Sequence, residues 1–256
     1  MTPTDLRKVG LARALSKLGY CSRSQAATLI RSGRVTLNGR ARRDPETPAN
    51  IDRDRIAVDG RIIKPASHIY LMMNKPRGLV TTASDEKGRA TIYSVLPGED
   101  SMPWLGPVGR LDKATEGLLL LTNDSEWGAR ITDPQTHLPK TYHVQVGSIP
   151  DENVIQAMRL GVESDGDSLR ASQCRLLRSG EKNCWLEITL DEGKNRQIRR
   201  MLAALQLKVL RLIRVSIGPL QLGTLKKGGH RPLTAEEKSA LDRAMGRIQS
   251  NSRKAE

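Results

Sequence analysis

The feature that most limits how this chain can fold is the string Gly109-Arg110-Leu111-Asp112-Lys113-Ala114-Thr115-Glu116-Gly117. It runs without a break into Leu118-Leu119-Leu120-Leu121-Thr122-Asn123-Asp124. A short apolar run ended by polar turn residues reads as a buried strand. The polar string before it must then be a glycine-flanked loop pressed against that strand, with the carboxylate of Asp112 inside it. Taken alone the loop is ambiguous, because an Asp followed by Lys also makes a turn or a surface ion pair.

The charge distribution narrows the partner. The formal net charge is +14 and the pI about 10.1, so the surface carries a field that favours a polyanion. Residues 1–43 hold ten Lys or Arg against one acid, Asp5, and so supply more than half of that charge. Apolar runs such as Leu118–Leu121 fall far short of the roughly 20 residues that a membrane-spanning helix needs. Met1-Thr2-Pro3-Thr4-Asp5 has no apolar signal core, so a cytoplasmic location is expected. Cys21, Cys174 and Cys184 have no C-x-x-C spacing, and the four histidines are dispersed, so no metal site is expected and the thiols read as free. Neither a phosphate-binding G-x-x-x-x-G-K-[ST] nor a strand-linked G-x-G-x-x-G occurs, which points to chemistry without a cofactor.

The basic end has local order. Leu11, Leu15 and Leu18 recur at helical spacing and Gly19 ends that helix. Ser22-Arg23-Ser24-Gln25 is a capping-box pattern ahead of Ala26, Leu29 and Ile30, and Gly33 closes the second helix. Val35 and Leu37 alternate with polar residues up to Asn38-Gly39, and Ile56 and Val58 precede Asp59-Gly60, both hairpin dipeptides. Residues 8–66 thus resemble the S4 RNA-binding domain, a likeness carried by the Leu18-Gly19 turn, Cys21-Ser22-Arg23 and Gly33-Arg34-Val35-Thr36-Leu37-Asn38-Gly39. A DNA-reading helix-turn-helix would need base-reading side chains on its second helix. Here that helix offers Gln25 and otherwise mostly small and apolar residues, which suits phosphate and shape recognition better. Arg13, Arg23, Arg31 and Arg34 are the candidate phosphate contacts.

From His68 onward strands alternate with turns: 70–73 ending at Asn74-Lys75-Pro76-Arg77-Gly78, then 79–82, 142–146, 185–190 and 209–217, with helices over 154–160 and 196–205. This predicts an α+β fold on a largely antiparallel sheet, with the module at 8–66, a larger domain at 68–233 and a C-terminal helix and loose basic tail at 234–256. Residues 228–233 read as a loop, followed by a capped helix. On a helical wheel Arg196, Arg199 and Arg200 share one face, opposite Ile198, Met201, Leu202 and Leu205. Tyr142 shares a strand face with Val144 and Val146 in a chain that has four tyrosines, three tryptophans and no phenylalanine.

Asn74-Lys75-Pro76-x-Gly78, Gly109 to Gly117 with its leucine run, Lys140-Thr141-Tyr142, Glu192 to Met201 and Arg211-Leu212-Ile213-Arg214 together resemble the RsuA-like branch of ribosomal RNA pseudouridine synthases. Members of that branch also carry an N-terminal S4 module. The resemblance implies that Asp112 attacks the ribosyl part of a target uridine, that Tyr142 stacks on the flipped base, and that Arg199 is the cation beside Asp112. It also implies that Arg110, Arg196 and Arg200 contact RNA, Arg110 near the vacated position. A carboxylate used in this way must be shielded from water and needs a cation beside it, since desolvation alone would protonate it. The expected partner is ribosomal RNA, free or in a subunit precursor and nearer the large-subunit members, bound by a monomer without membrane or small-molecule cofactor. The competing reading is a non-catalytic RNA-binding assembly factor.

Overall fold

The computed structural model describes residues 8–83, 85, 87–98 and 103–252, with 247–252 described for their backbone alone. Arg7 of the basic run lies outside the described residues, as do 253–256 of the expected tail.

The N-terminal module builds its own core. Leu11, Ala14 and Leu15 of α1 (Leu11–Lys17) pack on Ala26 and Ile30 of α2 (Arg23–Arg31), the faces that their spacing predicts. Gly19 follows α1 at φ 75°. The capping box forms: the Gln25 amide N–H donates to Ser22 Oγ at 3.2 Å, and the Ser22 N–H donates to the Gln25 side chain at 2.9 Å. Beneath the helices lie β1 (Lys8–Gly10) paired with β4 (Pro48–Asn50), and a second sheet of β3 (Arg40–Arg42), β2 (Val35–Leu37), β5 (Ile56–Val58) and β6 (Arg61–Ile62), in that order. Asn38-Gly39 and Asp59-Gly60 turn the two hairpins with positive φ at both residues, as type I′ turns require.

The larger sheet contains β7 (Tyr70–Lys75), β8 (Gly106–Val108), β9 (Glu116–Thr122), β10 (Lys140–Val146), β13 (Gln173–Ser179), β14 (Cys184–Leu190), β15 (Val209–Ile217), β16 (Leu220–Gln221) and β17 (His230–Pro232). Its main path runs β13-β14-β10-β15-β9-β7-β17, with β8 on β9 and β16 on β15. Every pairing is antiparallel except β15 with β9. That parallel seam divides the core. On one side α4 (Glu152–Leu160) and α5 (Gln197–Ala204) cover Val144, Val146, Leu186 and Ile188; on the other α3 (Ser125–Thr132) and α6 (Ala235–Ser252) cover Met72, Leu118 and Leu120. Leu119 and Leu121 face away from α3 and pack with Leu71, Met73, Ile92 and Leu111, so β9 is buried on both faces.

Several local expectations change. Residues 79–82 form no strand: Val80 makes a single bridge to Thr91, and the Thr81 hydroxyl is engaged instead with Leu111. Residues 230–232, read as loop, become edge strand β17 because their backbone pairs with β7 from His230↔Met73 to Pro232↔Leu71. α6, capped by Thr234 and Glu237, buries Leu241 and Met245 and continues to Ser252, where a loose tail was expected. The β11 (Val162–Ser164) and β12 (Asp167–Leu169) hairpin and β13 were not anticipated. All three cysteines are buried and none is in a disulfide. No described helix is long and apolar enough to cross a membrane.

Candidate active site

The loop that carries Asp112 is held through its backbone. Five consecutive carbonyls each accept a hydrogen bond: Leu111 from the Thr81 hydroxyl at 2.8 Å, Asp112 from Lys75 Nζ at 3.1 Å, Lys113 from the Gly78 N–H at 2.8 Å, Ala114 from Arg199 Nη2 at 3.1 Å and Thr115 from Lys75 Nζ at 2.9 Å. Leu111 anchors the same loop in the core, and Gly109 enters it at φ 74°. The Lys-Pro-x-Gly segment is therefore the clamp of the loop, a role its sequence did not disclose. Lys75 is fully buried, and burial pushes its ammonium down to about 8 against the pull of Asp112 and Glu116.

Behind the loop Glu116 lies at the start of β9, bonded to Arg211 at 3.1 Å and Lys227 at 3.0 Å. Burial acts to raise the Glu116 carboxyl, but those two cations outweigh it and hold it below the usual carboxylate range. Gly117 has no room for a side chain: at φ 103°, a Cβ would stand 2.2 Å from the Arg214 carbonyl oxygen across the parallel seam.

The Asp112 carboxylate faces a cleft of about 300 Å3 lined by Arg110, Tyr142, Lys140, Arg196, Arg199 and Arg214 among others. Its side chain is 42% exposed, so the protein alone does not shield it from water, contrary to the expectation of a dry carboxylate. The cation closest to it also differs from the one expected. Arg196 Nη1 lies 3.5 Å from Asp112 Oδ2, while Arg199 bonds the Ala114 carbonyl and has a buried Nε without a partner. Burial and the Arg196 charge hold the Arg199 guanidinium below its ordinary value, and Asp112 draws it upward. Arg196 reaches Asp112 because it stands outside the helix, as the N-cap of α5 in the left-handed region at φ 49°, whereas the sequence pattern placed it in the first turn.

Arg200 does not join this group. Its guanidinium bonds Asp165 at 3.1 Å, Asp167 at 2.8 Å and the Ser164 carbonyl, which ties α5 to the hairpin of β11 and β12. A wheel cannot show that this unforeseen hairpin stands beside it.

Tyr142 is half-buried on β10, packed against Leu-rich and Val-rich core on both sides of the seam. Its strand partner on β15 is Arg214. Burial and the charge of Arg214 push the Lys140 ammonium down, with Asp191 opposing.

The module meets the larger domain beside this cleft. Lys17 Nζ lies 2.7 Å from Glu126, and the Trp104 N–H donates to the Gly19 carbonyl at 3.2 Å. Arg13, Lys17, Arg23 and Trp104 line a second groove of about 570 Å3, which shares Val108, Gly109 and Thr132 with the Asp112 cleft. Among the described residues no side-chain hydrogen bond or ion pair engages Arg13 or Arg23. Arg31 and Arg34 lie off the groove, and Arg34 forms a two-pronged pair with Asp59.

Comparison with known proteins agrees with this arrangement. The RNA pseudouridylate synthase family pattern matches residues 69–204 and the S4 domain pattern matches residues 9–54. An uncharacterised RNA pseudouridine synthase of Aquifex aeolicus is 38% identical over 94% of this chain and 96% of its own length. One of Mycobacterium bovis is 36% identical over 94% and 95%. A crystal structure of a pseudouridylate synthase superimposes with a TM-score of 0.64 at 32% identity, covering 91% of this chain and 99% of that one. With a glycine-flanked Asp clamped before a buried strand and an S4 module alongside, this chain belongs to the RNA pseudouridine synthase family.

Proposed function

We propose that this enzyme isomerises a uridine of ribosomal RNA, in the large subunit, with Asp112 as the nucleophile. The observation that carries the reading is the placement of the Asp112 carboxylate. The main chain of its loop is fixed by five hydrogen-bonded carbonyls, and its side chain, paired with Arg196 at 3.5 Å, lies in a nucleotide-sized cleft that Tyr142 also lines. Such rigidity aligns the attacking oxygen with C1′ before the substrate arrives. The half-exposed carboxylate would be covered by the RNA itself, with a flipped base against Tyr142 and Arg110 entering the space the base leaves. Arg199 keeps the loop in register and adds positive charge next to Asp112.

Residues 8–66 serve as the RNA-binding module, residues 68–233 as the catalytic domain, and 234–256 as a C-terminal helix with its tail. Arg13 and Arg23 take phosphates along the groove that leads to the cleft, with Arg31 and Arg34 further out on the module. The substrate is free ribosomal RNA or a subunit precursor, and the protein acts as a monomer in the cytoplasm without a cofactor. The segment Arg211-Leu212-Ile213-Arg214-Val215 resembles the large-subunit members, which supports that assignment.

The test uses ribosomal RNA from cells lacking the enzyme, labelled with tritium at uracil C5, whose release accompanies pseudouridine formation. Asp112→Asn removes the charge and the nucleophile while keeping the shape. RNA affinity should change by about 1 kcal/mol or less, and release should fall by several powers of ten. Release by the variant at the wild-type rate overturns the role of Asp112. No release by wild type, on bare RNA or on precursors, turns the reading to a non-catalytic assembly factor.

A further inference from the structure

Arg214 sits in the sheet where an aliphatic residue would be expected. Its neighbours on β15, Leu212 and Ser216, are buried on the same face, and Arg214 itself is only 6% exposed. Nε donates to the Leu118 carbonyl at 2.8 Å, but Nη2 is buried with no acceptor. Among the described residues no carboxylate pairs with this guanidinium. A buried cation without a counter-charge is strongly destabilising, and proteins keep one where something else completes it.

The surroundings say what that is. Arg214 lines the same cleft as Asp112, directly opposite Tyr142 of β10 on one side and Gly117 of β9 on the other. A register irregularity between Thr141 and Tyr142 sets Arg214 opposite the tyrosine. Lys140, half-buried, lines the cleft on the same strand as Tyr142 and lies close enough to Arg214 for their charges to interact. Arg110 and Arg196 are exposed, in reach of a phosphate, whereas Arg214 is buried where it lines the cleft, beside its strand partner Tyr142.

We propose that Arg214, seconded by Lys140, is the pyrimidine-binding element of the cleft: it donates to a carbonyl oxygen of the target uracil and stabilises the charge that the detached ring carries. This rests on the reading of Asp112 as nucleophile. As the bond from Asp112 to C1′ forms, the C1′–N1 bond breaks and its electron pair passes to the ring, spread over N1, O2 and O4. The ring is then an anion, and a fixed cation in a dry pocket stabilises it far more than water would. The ring turns and C5 bonds to C1′, expelling the Asp112 carboxylate with its pair. C5 then loses its proton to solvent while N1 gains one, so the product is an isomer. Because both carbonyl oxygens carry the charge, one fixed donor serves the ring before and after it turns.

The same tritiated RNA tests this. Arg214→Lys keeps a charge but loses the fork that spans Leu118 and the base, and Lys140→Met removes the second charge. RNA affinity should stay within about threefold of wild type, because the phosphate contacts are untouched. At saturating enzyme the single-turnover rate should fall about 100-fold or more for Arg214→Lys, the loss typical of one donor to a developing anion, and about tenfold for Lys140→Met. A folded Arg214→Lys protein with the wild-type rate overturns the proposal. So does a rate that drops only in proportion to the folded fraction measured by melting. If Arg214→Lys does not fold, Lys140→Met decides: slower turnover at unchanged affinity supports the role, and an unchanged rate removes it. Asp112→Asn run alongside separates the two readings, since full activity there refutes the nucleophile, whereas an inactive Asp112→Asn beside a fully active Arg214→Lys refutes only the base pocket.

Discussion

The Nζ of Lys75 lies 3.1 Å from the Asp112 carbonyl oxygen and 2.9 Å from that of Thr115, so one buried ammonium spans the loop that presents the carboxylate. A third bond, to the Pro76 carbonyl at 3.2 Å, uses its last proton. An ammonium has three N–H donors and a neutral amine two, so the clamp depends on protonation.

Burial lowers Lys75 from 10.5 to about 8, which sets two opposite pH trends. Between these values the unfolded chain binds the proton more tightly than the folded one, so the contribution of Lys75 to stability rises with pH across this window, by at most about 3 kcal/mol. Below about 8 both states are protonated and that contribution is flat. Denaturant melts of wild type and Lys75→Met should diverge as pH is raised from 8 to 10.5. Over the same rise the single-turnover rate of wild type should fall, because the neutral amine releases one loop carbonyl. Parallel melts at all pH values would show that Lys75 does not titrate in this range.

Arg199 and Arg23 should separate chemistry from binding. Arg199→Ala frees the Ala114 carbonyl and removes charge near Asp112, so turnover of bound RNA should fall at least tenfold with affinity within about threefold. Arg23→Ala removes an unpaired groove cation. It should lower the slope of log affinity against log salt by about 0.7 to 0.9 and leave single-turnover rates unchanged. Equal effects of the two changes on rate would contradict this division. Arg34→Ala should disturb binding less than Arg23→Ala, because Asp59 already holds that guanidinium.

Gly117→Ala should be among the most destabilising single changes in the chain. Its Cβ would overlap the backbone of Arg214, where no side chain can move aside, at a φ that disfavours any L-residue. A loss of about 3 kcal/mol or more in urea unfolding is expected, with insoluble protein as the extreme case. Gly39→Ala, at a similar φ of 78° but with open space around it, should cost only about 1 kcal/mol. Similar losses at the two positions would show that the seam can relax.

The sequence by itself determined the parts governed by local physics. Ser22 and Gln25 close a capping box, Asn38-Gly39 and Asp59-Gly60 turn hairpins, and β15 spans Val209–Ile217 as its apolar pattern requires, because each depends on residues within a few positions of one another. The motif around Asp112 likewise marked the loop and its buried strand. What the tertiary structure decided are relationships across the sheet and between domains. Arg196 rather than Arg199 meets Asp112 because a left-handed N-cap turns it out of the helix, and Arg200 is drawn away by carboxylates on a hairpin about 35 residues distant in sequence. Lys75, Thr81 and Gly78 grip a loop 30 or more positions further along the chain, and β17 completes the sheet from the far end of the domain. A side chain's partner in such places is set by which strands become neighbours. That choice is made by burial summed over the whole core, and no window of sequence contains it.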